Sequence, residues 1–357
     1  MTLILSNDDV GKLLTIPACI DALEEAYVEL AEGRGITRTT SECFAPTGRP
    51  DALYVLKSMD GVVPKFGVGA VRISSDIMIW PKTGNGVRNV KMPAAPNNRY
   101  VGLVLLFSTE NGEPLAILPD GIIQRIRVGA ANALGIKYLA RRDATTVGIL
   151  GSGWQAGGQL IGACAVRNVS AIRCFSPNRE HREEFAKAMS ATLGVEVTPV
   201  DQPEEAIGGV DIAMCATNSL DSIFFERWVE PGMHLSSIKL AEIERAAIKR
   251  AGRVVVHSRE TSSLFFNVKG LVSEKEKKDQ ADPPRIRVDF DSLPTLPELI
   301  AGHVAGRGSE DEVTCFLNNI GLGYQFAAAG ALVYRKAKES GLGHDLPTDW
   351  FTEDVHP

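Results

Sequence analysis

The chain lacks the features that would tie it to a metal, a membrane or a nucleic acid. Its six cysteines, Cys19, Cys43, Cys164, Cys174, Cys215 and Cys315, form no C-x-x-C pair, and no histidine stands at metal-ligand spacing. That argues against a metal site, and thiols in apolar surroundings such as Met214-Cys215-Ala216 read as reduced and buried. The first residues, MTLILSNDDV, hold no basic segment leading into a long apolar core, and the longest apolar run, near 101–107, is far short of a bilayer span. The expectation is a cytoplasmic protein with no membrane partner. Lysine and arginine number 38 against 44 acids, a net charge of −6, so no nucleic-acid partner is expected. Repeats and low-complexity tracts are missing too.

What is present is a chain of 357 residues, 44% hydrophobic and 23% charged, long enough for two globular domains. Its most informative stretch is 145–158, TTVGILGSGWQAGG. Val147, Ile149 and Leu150 supply a buried strand, and Gly151, Gly153 and Ala156 follow at G-x-G-x-x-A spacing. The first glycine makes the tight turn, the second admits a pyrophosphate against the backbone, and the small third residue lets the helix pack on its strand. The helix N-terminus then offers free N–H groups to the phosphates. Gly151, Ser152, Gly153, Trp154, Gln155 and Ala156 are therefore expected to bind a dinucleotide.

Around this motif the pattern divides. Before it come a short strand at 2–5, a helix capped by Ser6 and Asp9, and a helix over 17–32 with Pro17 at its start. Four β-like runs follow at 52–58, 67–74, 100–107 and 114–118, the last two joined by a turn at 110–113. A long helix over 122–140 leads into alternating strands and helices, the sign of a doubly wound parallel sheet. The polar run SEKEKKDQ at 273–280 reads as a solvated surface, and 312–341 as a helix returning to the first domain. The fold class is α/β: a Rossmann doubly wound parallel sheet over 122–312, plus an N-terminal α+β domain from 1–121 and 313–357.

Cofactor preference is read from the end of the second parallel strand, IRCFS. An acid there would bind the ribose 2′-hydroxyl of NAD and repel the 2′-phosphate of NADP. Ser176, Asn178 and Arg179 stand there instead, which favours NADP(H), with NAD(H) possible.

The chain resembles the ornithine cyclodeaminase and mu-crystallin family over nearly its full length. The resemblance rests on the fingerprint itself, on Arg127-Val128-Gly129-Ala130 and on 138–143, YLARRD. It also rests on Ala216-Thr217-Asn218-Ser219, Pro231-Gly232-Met233-His234, 254–259 (VVVHSR) and 312–316 (EVTCF). It implies a nicotinamide cofactor contacted also by Ala216, Thr217 and Asn218, a homodimer formed through the N-terminal domain, and chemistry at the carbon bearing nitrogen. By motif position it implies a carboxylate-binding trio of Arg38, Arg72 and Arg127, whose planar forks match a carboxylate. The middle position is commonly Lys in the family. A further departure follows His234, where an Asp-bearing insertion is replaced by 236–244, SSIKLAEIE, so that Lys239 and Glu242 are the nearest ionisable substitutes for the acid. A second family Asp is replaced within 321–325, GLGYQ. His257 stands at a strand end near the cofactor edge, His234 at a strand start, and His181, His303, His344 and His356 read as exposed. The implied activity is an NAD(P)H-dependent ketimine reductase or amino-acid dehydrogenase acting on a small amino or imino acid with a carboxylate. The alternatives are an ammonia lyase of the ornithine-cyclodeaminase type and a non-catalytic NADPH-dependent binder.

Overall fold

The computed structural model describes residues 1–83, 86–260, 263–273, 276–277 and 288–355. Two sheets organise them. The first is a ten-stranded mixed sheet whose centre is a long hairpin, Ala52–Val63 against Val68–Ile79, antiparallel from Ala52↔Ile79 to Val63↔Val68. Burial along Val68–Ile79 alternates at every residue. That period of two places Arg72, Ser74 and Asp76 on the same inner face as Val68 and Ala70. The helix Gly323–Ser340 packs on this face and Ile16–Ala31 packs against that helix, in one core that includes Leu23, Tyr27, Tyr324 and Phe326. Thr15 caps the first of these helices, with Pro17 in its opening turn, and Gly341 in the left-handed region ends the second.

The second sheet holds seven strands, all parallel, in the order Val197–Pro199, Ala171–Phe175, Thr146–Leu150, Ile212–Cys215, His234–Ser237, Thr314–Leu317, Arg253–Val256. Helices cover both faces, over separate cores around Ile149 and Leu235. This is the Rossmann arrangement, and the α/β class read from the sequence stands. The helix Asp120–Leu139 joins the two units, lying against both Trp154–Val166 and Ile16–Ala31.

Two segments cross the expected boundaries. Thr314–Leu317 is a fully buried strand of the parallel sheet, not part of a returning helix, which begins only at Gly323. A four-residue apolar run buried on both faces carries no alternation to mark it as a strand. Leu264–Asn267, expected within the nucleotide domain, pairs instead in parallel with Ser41–Pro46 at the edge of the first sheet. The polar run at 273–280 lies mostly outside the described residues.

Among the described residues no helix is long and apolar enough to cross a membrane, and no group of three or more His, Cys, Asp or Glu side chains could hold a metal ion.

Candidate active site

The carboxyl ends of the parallel strands carry the fingerprint. Gly151 adopts φ +128°, where side chains are strained, and a Cβ there would strike the carbonyl of Ala216, just past the end of the neighbouring strand. Gly153 precedes the helix Trp154–Val166 with open space where a Cβ would be, and no side chain caps that helix. The Oε1 of Gln155, one residue into the helix, is buried without a partner. An uncapped helix end with free N–H groups and an open glycine are what a bound pyrophosphate would complete, and the Gln155 oxygen is left for a donor such as a ribose hydroxyl, so these residues fit a dinucleotide.

Of the residues chosen for the far ribose, Ser176 is nearly buried and receives a 2.8 Å hydrogen bond from the Ser152 hydroxyl. Asn178 caps the helix Arg179–Leu193 by accepting from the His181 N–H at 2.9 Å. Arg179 is exposed and pairs with Glu183 at 2.7 Å, one helical turn on. Trp154 is exposed and covers Arg125, whose guanidinium lies 4.0 Å from the indole centroid.

Ala216, Thr217 and Asn218 follow the strand Ile212–Cys215 and are held from behind by Glu242. That carboxylate is fully buried and accepts from the Thr217 N–H at 2.6 Å, the Thr217 hydroxyl at 2.8 Å, and the Ile238 and Lys239 N–H groups at 3.1 Å each. Burial pushes its carboxyl above the usual range, against the pull of Lys239 and these donors. The structure thus gives Glu242 a scaffolding position joining two strand ends, with Lys239 as its half-buried partner. The same loop meets the segment that follows the Val68–Ile79 strand, since Asn89 donates to the Asn218 carbonyl and Leu220 to that of Val87, both at 3.3 Å. That bridge secures the loop from the other domain.

Arg127, on the helix Asp120–Leu139, is buried. Its Nη1 donates to Gln325 Oε1 at 2.7 Å, its Nε is buried without a partner, and its guanidinium lies 4.7 Å from the Phe326 centroid. Among the described residues no carboxylate lies within ion-pair distance of it. Burial, and then the charge of Arg72, lower its pKa to about 10. Gly321 abuts the same guanidinium, and a Cβ there would collide with Nη1. Arg72 approaches Phe326 as well, at 5.6 Å, but is neutralised by Asp120, which accepts from Nε at 2.7 Å and from Nη2 at 2.5 Å.

The structure does not bring Arg38 into this group. Its side chain is 71% exposed and forms a two-pronged pair with Asp60 at 2.8 Å on each arm. The expected trio is therefore a buried pair with an exposed neighbour, because Arg38 lies beyond the short edge strand Ile36–Thr37, where nothing covers it.

His257 and His234 are both fully buried, with pKa values lowered by burial to about 4 and about 3. Neither meets solvent as a general acid would. His181, His303 and His344 are exposed, and His356 lies outside the described residues.

Asp120, Tyr27 and Phe326 were not singled out in the sequence. Asp120 had a signal, an acid opening the helix that carries Arg127. Phe326 and Tyr27 read only as apolar positions of amphipathic helices.

The profile of the ornithine cyclodeaminase/mu-crystallin family matches residues 82–341. A Δ1-pyrroline-2-carboxylate reductase of Bacillus cereus is 28% identical over 75% of this chain and 84% of its own length. An alanine dehydrogenase of Archaeoglobus fulgidus is 26% identical over 97% of this chain and 98% of its own. Among solved structures, the Δ1-pyrroline-2-carboxylate reductase of Thermococcus litoralis, in complex with NADH and L-proline, superposes with a TM-score of 0.78 at 25% identity, covering 97% of this chain and 100% of that one. The profile spans Arg127, the fingerprint strand and the rest of the parallel sheet, and the chain belongs to the ornithine cyclodeaminase/mu-crystallin family.

Proposed function

We propose that this protein is an NAD(P)H-dependent oxidoreductase that reduces the C=N bond of a small imino acid, in the manner of a ketimine reductase or amino-acid dehydrogenase. The observation that carries the reading of the substrate site is Arg127, a buried guanidinium with a neutral partner on Nη1 and nothing on Nε. A buried cation without a counter-ion is costly unless a ligand supplies one. With Gln325 on Nη1, the Nε edge remains open to grip a carboxylate.

Reduction of C=N adds a hydride to carbon and a proton to nitrogen, the proton being taken from solvent as the imine enters in its iminium form. When bound, the reduced nicotinamide supplies the hydride, from the crevice at the carboxyl ends of the strands. The chain's own part is orientation and electrostatics. Arg127 fixes the carboxylate beside the reacting carbon, and Phe326 backs the guanidinium so that it keeps one plane. Arg72 and Asp120 form a neutral wall, so the two arginines and one aspartate leave a single positive charge for a single carboxylate. The loop held by Glu242 and bridged to Val87 and Asn89 fixes the floor beneath the reacting end.

Three finer readings go with this. NADP(H) is preferred over NAD(H), because the second parallel strand ends in Ser176 without an acid and Arg179 is exposed within the next turn. The protein is a homodimer through the outer face of the ten-stranded sheet, where Leu56, Val101, Leu103, Leu264 and Phe266 remain 39% to 55% exposed in one chain. A cytoplasmic setting fits six cysteines that are all free thiols.

Reduced-nicotinamide absorbance tests the reading, with NADPH and then NADH, across preformed cyclic imino acids and α-keto acids with ammonia or methylamine. Consumption with an imine supports it. Silence with every imine and both nucleotides moves the protein to the binders, and ammonia release from ornithine without net nucleotide change moves it to the cyclodeaminases.

A further inference from the structure

His257 ends a buried polar path that begins at Arg127. Its ring is fully buried after the strand Arg253–Val256, with Nδ1 2.6 Å from the Ile320 carbonyl and Nε2 2.7 Å from the Tyr27 hydroxyl. A carbonyl only accepts, so Nδ1 carries the hydrogen. Nε2 is then the acceptor, and Tyr27 is the donor to it.

The Gln325 amide is fixed by the same reasoning. Its Oε1 accepts from Arg127 Nη1 at 2.7 Å and from the Leu322 N–H at 3.2 Å. Its Nε2 is therefore the donor, directed to the Arg127 carbonyl at 3.4 Å, on a side chain that adjoins Tyr27. Arg127 donates to Gln325, whose amide adjoins Tyr27, and donation then runs from Tyr27 to His257 and from His257 to Ile320. Ile320 is followed by Gly321, which touches the Arg127 guanidinium. The path returns through that contact to the residue where it began, and its members come from the linking helix, the last helix and the loop before it, the N-terminal helix and the end of the edge strand of the parallel sheet.

We infer that His257 is a positioning residue for Arg127, whose neutral imidazole fixes the Tyr27 hydroxyl, the Gln325 amide and so the plane of the guanidinium that meets the substrate. The inference rests on the reading that Arg127 holds the substrate carboxylate. A network of this kind transmits orientation because each polar group has one compatible partner, and reversal of any one leaves two donors or two acceptors facing each other in a dry interior. Losing the acceptor at His257 frees Tyr27 to rotate, Gln325 loses its second anchor, and Arg127 samples orientations that miss the carboxylate.

Steady-state kinetics with a cyclic imino acid test this, beside reduced-nucleotide affinity from fluorescence titration. Tyr27→Phe removes one hydroxyl and keeps the ring. His257→Leu removes both polar ends, and His257→Gln returns one acceptor and one donor. The expected result is a KM for the imino acid raised about tenfold in Tyr27→Phe and in His257→Leu, with kcat and nucleotide affinity within about twofold, and recovery to within about threefold in His257→Gln. Arg127→Ala runs alongside and raises KM more than any of these. A raised KM in Arg127→Ala with none in Tyr27→Phe or His257→Leu overturns the positioning role and leaves the carboxylate reading intact. An unchanged KM in Arg127→Ala overturns both. KM and nucleotide affinity worsening together in Tyr27→Phe assigns the path to general packing and also overturns the positioning role.

Discussion

Asp120 takes both Nε and Nη2 of Arg72 on one oxygen, Oδ2, in a site where neighbouring Arg127 has no acid at all. The two guanidinium groups share the Phe326 ring yet have opposite electrostatic situations. One is internally neutralised and the other waits for a charge. That asymmetry yields the first two expectations.

Replacing Arg127 with Ala removes a charge-assisted, two-pronged contact and should raise the KM for the imino acid by about a hundredfold, on the order of 3 kcal/mol. Nucleotide affinity should stay within about twofold, since the fingerprint is untouched. Titration of the variant with reduced nucleotide, beside its kinetics, checks both halves.

Asp120→Asn keeps the shape but leaves Arg72 buried with no counter-charge. Breaking a buried pair from one side costs about 3–5 kcal/mol. Urea unfolding should show that loss, and Arg72→Met with Asp120→Asn together should recover much of it. A double variant no more stable than the single one would mean that the pair is not what the single change disturbs.

Glu242→Gln should weaken nucleotide binding about tenfold and cost roughly 2 kcal/mol of stability, because each carboxylate oxygen accepts from two donors and the amide must turn its NH2 toward one of those pairs. Isothermal titration and thermal melting read the two effects separately. Unchanged nucleotide affinity would detach Glu242 from the Thr217 loop.

Acid should destabilise the fold through its buried histidines. His257 and His234 have folded pKa values of about 4 and about 3, against an ordinary 6.5, with burial as the main cause and nearby arginines adding to it. The unfolded chain therefore binds more protons as the pH falls below 6.5. The stability that these neutral rings contribute is complete above that value, declines through pH 6.5 to 4, and levels off below the folded values. Each is worth on the order of 3 kcal/mol across the window. Urea midpoints at pH 7.5 and 5.0 should differ accordingly, and His257→Gln should flatten the slope by up to one proton.

How much of this was legible in the sequence depended on whether a residue's role was local. The fingerprint was, because Gly151, Gly153 and Ala156 act through backbone geometry within one strand–turn–helix unit. Arg127 and Arg72 were reachable through motif position, whereas the charge state that separates them depends on Asp120, 48 residues from Arg72 in the chain. Thr314–Leu317 hid because a strand buried on both faces shows no alternation. Leu264–Asn267 hid because the edge it joins belongs to the other domain. Tyr27 lay in a correctly placed helix and read as core, which it is by burial, yet its hydroxyl is polar wiring to a histidine 230 residues away. Arg38 stands apart: motif position implied a carboxylate contact, and the structure leaves it in solvent against Asp60 beyond a short strand.

The 2′-phosphate reading has its own test. Arg179→Ala should weaken NADPH about tenfold and leave NADH unchanged, since Arg179 must exchange Glu183 for the phosphate and no other contact moves. Equal affinities for both nucleotides in the wild type would remove the preference for NADP(H).

The most direct test of the central claim compares a cyclic imine bearing a 2-carboxylate with the same ring lacking it, in wild type and in Arg127→Ala, by kcat/KM with reduced nucleotide. The account predicts that the wild type favours the carboxylated imine by about a hundredfold and that Arg127→Ala loses most of that preference. Retention of the full preference in the variant, or equal use of both rings by the wild type, would contradict the assignment of Arg127 to the substrate carboxylate.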